Sequence, residues 1–406
     1  MKRLRIRLDF GISVRDVGEL VYENRRLLFR FDPDFVADPL PLSPIRLPIT
    51  SAAQQADTSV FDGLFGVFAD SLPDGWGRLL QDRAFSARQV PPERITPLLR
   101  LAAVGTSGMG ALTYHPPTDD DAQAEVLDLD YLAQQSQRIL AGMSIDDIEE
   151  MVRLGGSSGG ARPKLLVGYH PTQGTLISDR FPLPEGYTHW IVKFNASMDR
   201  PDAALLEYAY ALLARRAGLE VSECRLFEGR SGNVYFGTKR FDRTQGTRLH
   251  LHSVAGLLHD NFRLSTLDYG HLMDAAIRLT QSRKSAESIL RMAAFNVFAY
   301  NRDDHSNNFS FLMDATGEWR VAPAYDLTYA PSTHGEHSIT VAGEGRNPGT
   351  AELLQLGEDF GLSDAASVIA AVKEGVSTYE EVFSSVDIGA STRLEVGKVL
   401  ERQLMR

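Results

Sequence analysis

The hydrophobic pattern is densest between Ala286 and Tyr300, where Ile289, Leu290, Met292, Phe295, Val297 and Phe298 fall on every side of a helical projection. A helix that is apolar all round is predicted to be buried. The eight residues that follow, Asn301 to Asn308, are polar or charged. Two short apolar runs come next, Phe309–Met313 and Trp319–Ala322, separated by Asp314–Glu318 with Gly317 inside it. That pattern predicts a hairpin. Its open end brings Asn308 back to Ala324-Tyr325-Asp326, which gathers Asp303, Asn308 and Asp326 on one side of the sheet.

Elsewhere the pattern alternates between strand and helix periods. Met1–Phe10 alternates apolar and polar residues as a strand does, and Val17–Tyr22 with Leu27–Phe31 predicts a hairpin around Asn24. Leu165–Val167, Tyr187–Asn195 and Val234–Arg243 read as further strands, the second with Trp190, Val192 and Phe194 on one face and Lys193 on the other. Helices are expected over Asp128–Leu140, Ser144–Arg153 (with Ser144 as N-cap), Pro201–Arg216, Leu362–Phe383 and Thr392–Met405. Pro73-Asp74-Gly75 is strong turn chemistry, read as a structural turn between core segments.

Composition narrows the class. At 406 residues the chain can bury a large core, and two domains are expected. The proline- and acid-rich stretch His115–Asp121 marks the boundary, giving an N-terminal α/β domain over 1–126 and a larger, mainly helical domain over 127–406. The fold class is α+β. No apolar run approaches a membrane span, and the N-terminus lacks a signal-peptide core, so a cytoplasmic protein is expected. The single cysteine, Cys224, excludes an internal disulfide and a cysteine-based zinc site. A net charge of −11 argues against a free-standing DNA binder.

The polar stretch after the buried helix has a chemical reading. Phosphoryl transfer requires a carboxylate that orients the attacking hydroxyl and oxygen ligands that hold magnesium on the nucleotide phosphates. In protein kinases these are a catalytic-loop Asp, an Asn five residues on, and an Asp beyond a short hairpin. Asp303 and Asn308 have that spacing, and Asp326 stands in the third position. A polar helix end and a surface turn would explain any one of them; the three joined by a hairpin favour chemistry. Gly155–Gly160, with two serines, runs into Ala161-Arg162-Pro163-Lys164 and suits a phosphate cradled by backbone N–H groups. It is neither a Walker A loop nor Gly-x-Gly-x-x-Gly, and such segments are often linkers. Lys193 is either a snorkelling strand residue or a lysine delivered to phosphates. Glu207, on the following helix, is either its partner or a solvated residue.

Asn301–Ser310 followed by Ala324-Tyr325-Asp326-Leu327 resembles the active-site signature of HipA-type toxin kinases, the serine/threonine kinases of bacterial toxin–antitoxin pairs. Leu72–Arg78 and Gly108–Leu112 are similar to phrases in the N-terminal domains of that family. The resemblance implies a kinase-like C-terminal domain using ATP and Mg2+, with Asp303 as catalytic base and Asn308 and Asp326 as metal ligands. It implies nucleotide binding by Gly156, Ser157, Ser158, Gly159, Gly160 and Lys164, by Lys193, by backbone groups of Lys239 and Phe241 at a hinge, and by His305. Ser157 would be the autophosphorylation site, although Ser158 is chemically as able. The implied partners are a DNA-binding antitoxin of HipB type, through which alone DNA is met, and a protein substrate such as an aminoacyl-tRNA synthetase or another translation factor. The chain departs from the family at Leu249–Ser253, where an acidic residue is expected and His250 and His252 stand instead; they are metal ligands or core residues. A small-molecule phosphotransferase and a non-catalytic nucleotide-binding regulator are the competing functions.

Overall fold

The computed structural model describes residues 2–406 except 24–25, 58, 119–125, 144–147, 156–159, 180, 197, 245 and 333. The mixed helix-and-sheet class agrees with expectation.

Near the N-terminus an antiparallel sheet of four strands runs in the order Arg26–Phe31, Val14–Glu23, Arg3–Asp9, Leu112–His115. Leu4, Ile6 and Leu8 are buried while Arg3 and Arg5 face water, as the alternation requires. The hairpin 14–31 forms with Glu23 opposite Arg26; the Asn24 turn itself lies outside the described residues. A second antiparallel sheet has five strands in the order Thr175–Ser178, Lys164–His170, Thr188–Lys193, Val234–Lys239, Cys224–Glu228. The helix Ala203–Arg216 packs against it. A third sheet joins His250–Ser253, Ser310–Met313 and Trp319–Val321, the last two forming the expected hairpin with Leu312 opposite Arg320. The Asp314 carboxylate fixes that turn by accepting from the N–H and hydroxyl of Thr316 at 2.8 and 2.6 Å.

The helix Arg283–Phe298 runs through the main core, with Ile289, Leu290, Phe295 and Phe298 all within 1% of complete burial. The C-terminal helical run breaks at Thr378 into Ala365–Ser377 and Tyr379–Ser385. A further helix, Thr350–Asp359, begins after Gly349; the Glu352 carboxylate reaches back to accept from the Gly349 N–H at 2.8 Å and starts it. The helix Leu129–Leu140 is capped by Asp128, whereas the Ser144 cap lies outside the described residues and its helix is seen over Ile148–Gly155.

Packing is continuous across the sequence boundary near residue 126. Trp76 and Leu80, on the helix Gly75–Ala87, share a core with Leu165, Val167 and Trp190 of the five-stranded sheet. His250 and His252 are buried core residues. The His250 Nε2 lies 3.1 Å from the Leu42 carbonyl, and His252 sits between Ser43 Oγ at 2.9 Å and the Asp70 carboxylate at 2.6 Å. No cluster of three or more His, Cys, Asp or Glu suited to a metal exists among the described residues.

Candidate active site

Where the buried helix ends, Tyr300 takes a positive φ of 56° and turns the chain out of the core. Four of the next six residues have side chains tied down by hydrogen bonds. The Asn301 amide donates to Asn296 Oδ1 at 2.9 Å. The Arg302 guanidinium donates to the carbonyls of Gly335 and of Arg346, the latter at 2.8 Å, and stacks 4.2 Å from the Tyr300 ring centre. Asp304 is fully buried and accepts from the Tyr269 hydroxyl at 2.9 Å, His337 Nδ1 at 2.8 Å and the Ser338 N–H at 2.8 Å. Ser306 donates to Asp260 at 2.6 Å.

Asp303 is not among them. Its side chain is 63% exposed, and His305 Nε2 lies 3.7 Å from its carboxylate. Crowding by the surrounding walls raises its pKa above the ordinary Asp value; His305 opposes the shift, and the negative charges of Asp326 and Asp304 add to it. The predicted nucleotide contact His305 therefore stands beside Asp303, with its ring 5.0 Å from that of Phe262.

Asn308 donates its amide nitrogen to the Asp303 carbonyl at 2.7 Å, which leaves its amide oxygen outside that bond. The Tyr325 hydroxyl donates to the Asn307 carbonyl at 2.6 Å, so the neighbours of Asn308 and Asp326 touch across the hairpin's open end. Asp326 has a positive φ of 56°, a strained backbone for a residue with a side chain. Its carboxylate meets the Lys193 ammonium.

Lys193 binds Asp326 and Glu207 at once. The strand–helix pairing of Lys193 with Glu207 was one of two readings of the sequence, and the structure shows it. Lys193 stands directly opposite Lys164 in the antiparallel pair, so both ammonium groups project from the same face. Burial alone would lower the Lys193 pKa, but Asp326 and Glu207 reverse this and raise it. Asp326 is held far below the carboxylate range, first by Lys193 and further by Lys164. Glu207 is pushed up by burial against the pull of Lys193. Burial lowers Lys164, with Asp326 opposing. Asp326 is therefore the principal counter-charge of this group.

Of the glycine-rich segment, Gly156, Ser157, Ser158 and Gly159 lie outside the described residues. Gly160 lies close to the Lys164 ammonium. At the position expected to be a hinge, the Lys239 N–H donates to the Glu223 carbonyl at 2.8 Å and is not free to meet a ligand. The Phe241 ring lies 5.4 Å from Tyr325. The flanking arginines turn away from the cleft: Arg240 pairs with Asp179 at 2.7 Å and Asp242 at 2.8 Å, and Arg243 donates to the carbonyls of Gly108 and Gly110, each at 2.7 Å. The phrase Gly108–Leu112 thus grips the hinge from the N-terminal side.

Two acidic residues with clear placements were missed from sequence. Asp304 anchors the segment 301–308; its partners are 33 to 35 residues away in the chain, and no local spacing announces them. Asp74 accepts from the Gly160 N–H, and here the turn signal hid a second use.

The family model described as HipA-like C-terminal domain matches residues 156–381, and the HipA N-terminal domain model matches 8–115. The chain belongs to the HipA family. A chain of the Shewanella oneidensis MR-1 toxin–antitoxin complex of HipA, HipB and operator DNA is 18% identical, with a TM-score of 0.67 over 99% of this chain and 96% of that one. The overall fold is therefore shared with that structure. The Helicobacter pylori proinflammatory kinase CtkA is 14% identical over 54% of this chain and 91% of its own, at a TM-score of 0.35. No described helix is long and apolar enough to cross a membrane.

Proposed function

We propose that this HipA-family chain is an ATP-dependent serine/threonine protein kinase, the toxin of a toxin–antitoxin pair. The observation that carries the reading is Lys193 held between Glu207 and Asp326, opposite Lys164, in a cleft whose field reaches the exposed carboxylate of Asp303. Two lysines placed together on a strand pair suit the phosphates of a nucleotide. Lys164 and Lys193 would bind those phosphates, Glu207 would keep Lys193 in place, and Phe241 would lie along the adenine.

The donor set fits magnesium. Asn308 offers an amide oxygen and Asp326 a carboxylate, and Mg2+ takes hard oxygen ligands from one or two protein groups while keeping waters and phosphate oxygens. When bound, the ion would neutralise charge on the transferring phosphate. Asp303 then does what its position allows: it accepts the proton of a seryl or threonyl hydroxyl while that oxygen attacks the γ-phosphorus and ADP leaves. Ser157 is itself such a hydroxyl, and phosphate there would compete with ATP for the glycine-rich segment.

The same reading includes a DNA-binding antitoxin of HipB type as partner and a translation component as substrate. With a net charge of −11, the chain would meet operator DNA only through that antitoxin. Calorimetric titration of ATP with and without magnesium tests the site. Asp326→Ala should abolish the magnesium-dependent gain in affinity without weakening metal-free binding, because it removes a counter-charge from Lys193 and Lys164. Equal loss under both conditions would remove Asp326 from metal binding.

A further inference from the structure

Asp74 occupies the N-cap position of the helix Gly75–Ala87, yet its side chain makes no capping bond to that helix. An aspartate there ordinarily accepts from its own first-turn N–H groups. Here the carboxylate instead accepts from the N–H of Gly160, distant in the chain. The next bond runs the other way: the Trp76 N–H donates to the Gly160 carbonyl at 3.1 Å. Both backbone groups of Gly160 are thus held by one turn of the N-terminal region.

The close approach depends on glycine. A Cβ on Gly75 would lie 2.7 Å from Gly160 O and from Ala161 Cα, and Gly75 has a φ of +39°. A Cβ on Gly160 itself would lie 2.4 Å from the Lys164 ammonium nitrogen. Gly160 thus stands close both to the Asp74–Trp76 turn and to Lys164. Asp74 is also one of the negative charges acting on Lys164, opposing the fall that burial imposes. Trp76, 1% exposed, anchors the turn in the core beneath the five-stranded sheet.

We propose that Asp74 is a positioning residue for the nucleotide phosphates: by holding Gly160, it fixes where the Lys164 ammonium stands. The N-terminal region then completes the phosphate site from outside the C-terminal domain. The inference rests on nucleotide binding in this cleft, and it separates the phosphates, which meet Lys164, from the adenine, which meets the hinge.

The test compares Mg-ATP with adenosine, which lacks phosphates, by calorimetry on the full chain. Asp74→Ser retains a side chain able to cap its own helix but is too short to hold Gly160. It should weaken Mg-ATP about tenfold, about 1.4 kcal/mol, and leave adenosine affinity unchanged. Asp74→Asn, whose amide oxygen still accepts from Gly160, should recover most of the loss. Thermal unfolding of both variants confirms that each is folded. Equal weakening of ATP and adenosine, no weakening of either, or tighter ATP binding by Asp74→Ser would each overturn the proposal while leaving the kinase reading intact. A wild-type chain that binds neither ligand would overturn both together.

Discussion

The two walls of the cleft are built differently. One wall, Asn301 to Asp326, is a single stretch in which helix end, hairpin and return strand follow one another, so spacing along the chain sets spacing in space. The opposite wall draws Asp74, Gly160, Lys164, Lys193, Glu207 and Phe241 from stretches far apart in sequence. Within the contiguous wall a second contrast stands between neighbours. Asp304 is fully buried with three donors, whereas Asp303 is 63% exposed. Anchoring one carboxylate leaves the next free to meet a substrate, since an immobile neighbour fixes its backbone without consuming its oxygens.

Breaking that pair from either side gives opposite signatures. Asp303→Asn should lower phosphate transfer by about 10³-fold, within the range for losing a general base, with Mg-ATP affinity unchanged in titration. Asp304→Ala should act on the fold, because it orphans the buried Tyr269, His337 and Ser338 donors together. A loss of about 3 kcal/mol is expected in chemical denaturation. If Asp304→Ala keeps full stability but loses transfer, the division of labour is reversed.

The smallest effect concerns pH. Asp303 must be ionised to accept a proton, and its folded pKa lies above the ordinary 3.8. Transfer is therefore lost on acidification at a higher pH than an unperturbed aspartate would give. His305 opposes the upward shift, so His305→Ala should move the acid limb of the kcat profile to still higher pH. A limb moving to lower pH would show that His305 does not stabilise the carboxylate.

The contrast between the walls also explains what the chain revealed before folding. The buried helix, the 310–321 hairpin and the strand bearing Lys193 were legible because hydrophobic period and turn chemistry are local signals. The Lys193–Glu207 pair was only half legible, since a helix glutamate looks the same whether solvated or bound. The different fates of Asp303 and Asp304 were not legible, because they depend on Tyr269 and His337, which tertiary folding delivers. Nor was the burial of His250 and His252 against Leu42, Ser43 and Asp70, partners from the other end of the chain. The turn at Asp74 was recognised as a turn, and that sufficient local explanation concealed its bond to Gly160.

The central claim is that this cleft transfers the γ-phosphate of ATP to a protein hydroxyl. Incubation of the purified chain with magnesium and γ-labelled ATP, followed by phosphoamino-acid analysis and mass spectrometry, tests it most directly. The account predicts label on protein as phosphoserine or phosphothreonine, including Ser157, and its loss in Asp303→Asn. Bound Mg-ATP with no label on the chain or on an added protein fraction, or equal labelling by Asp303→Asn, would contradict it.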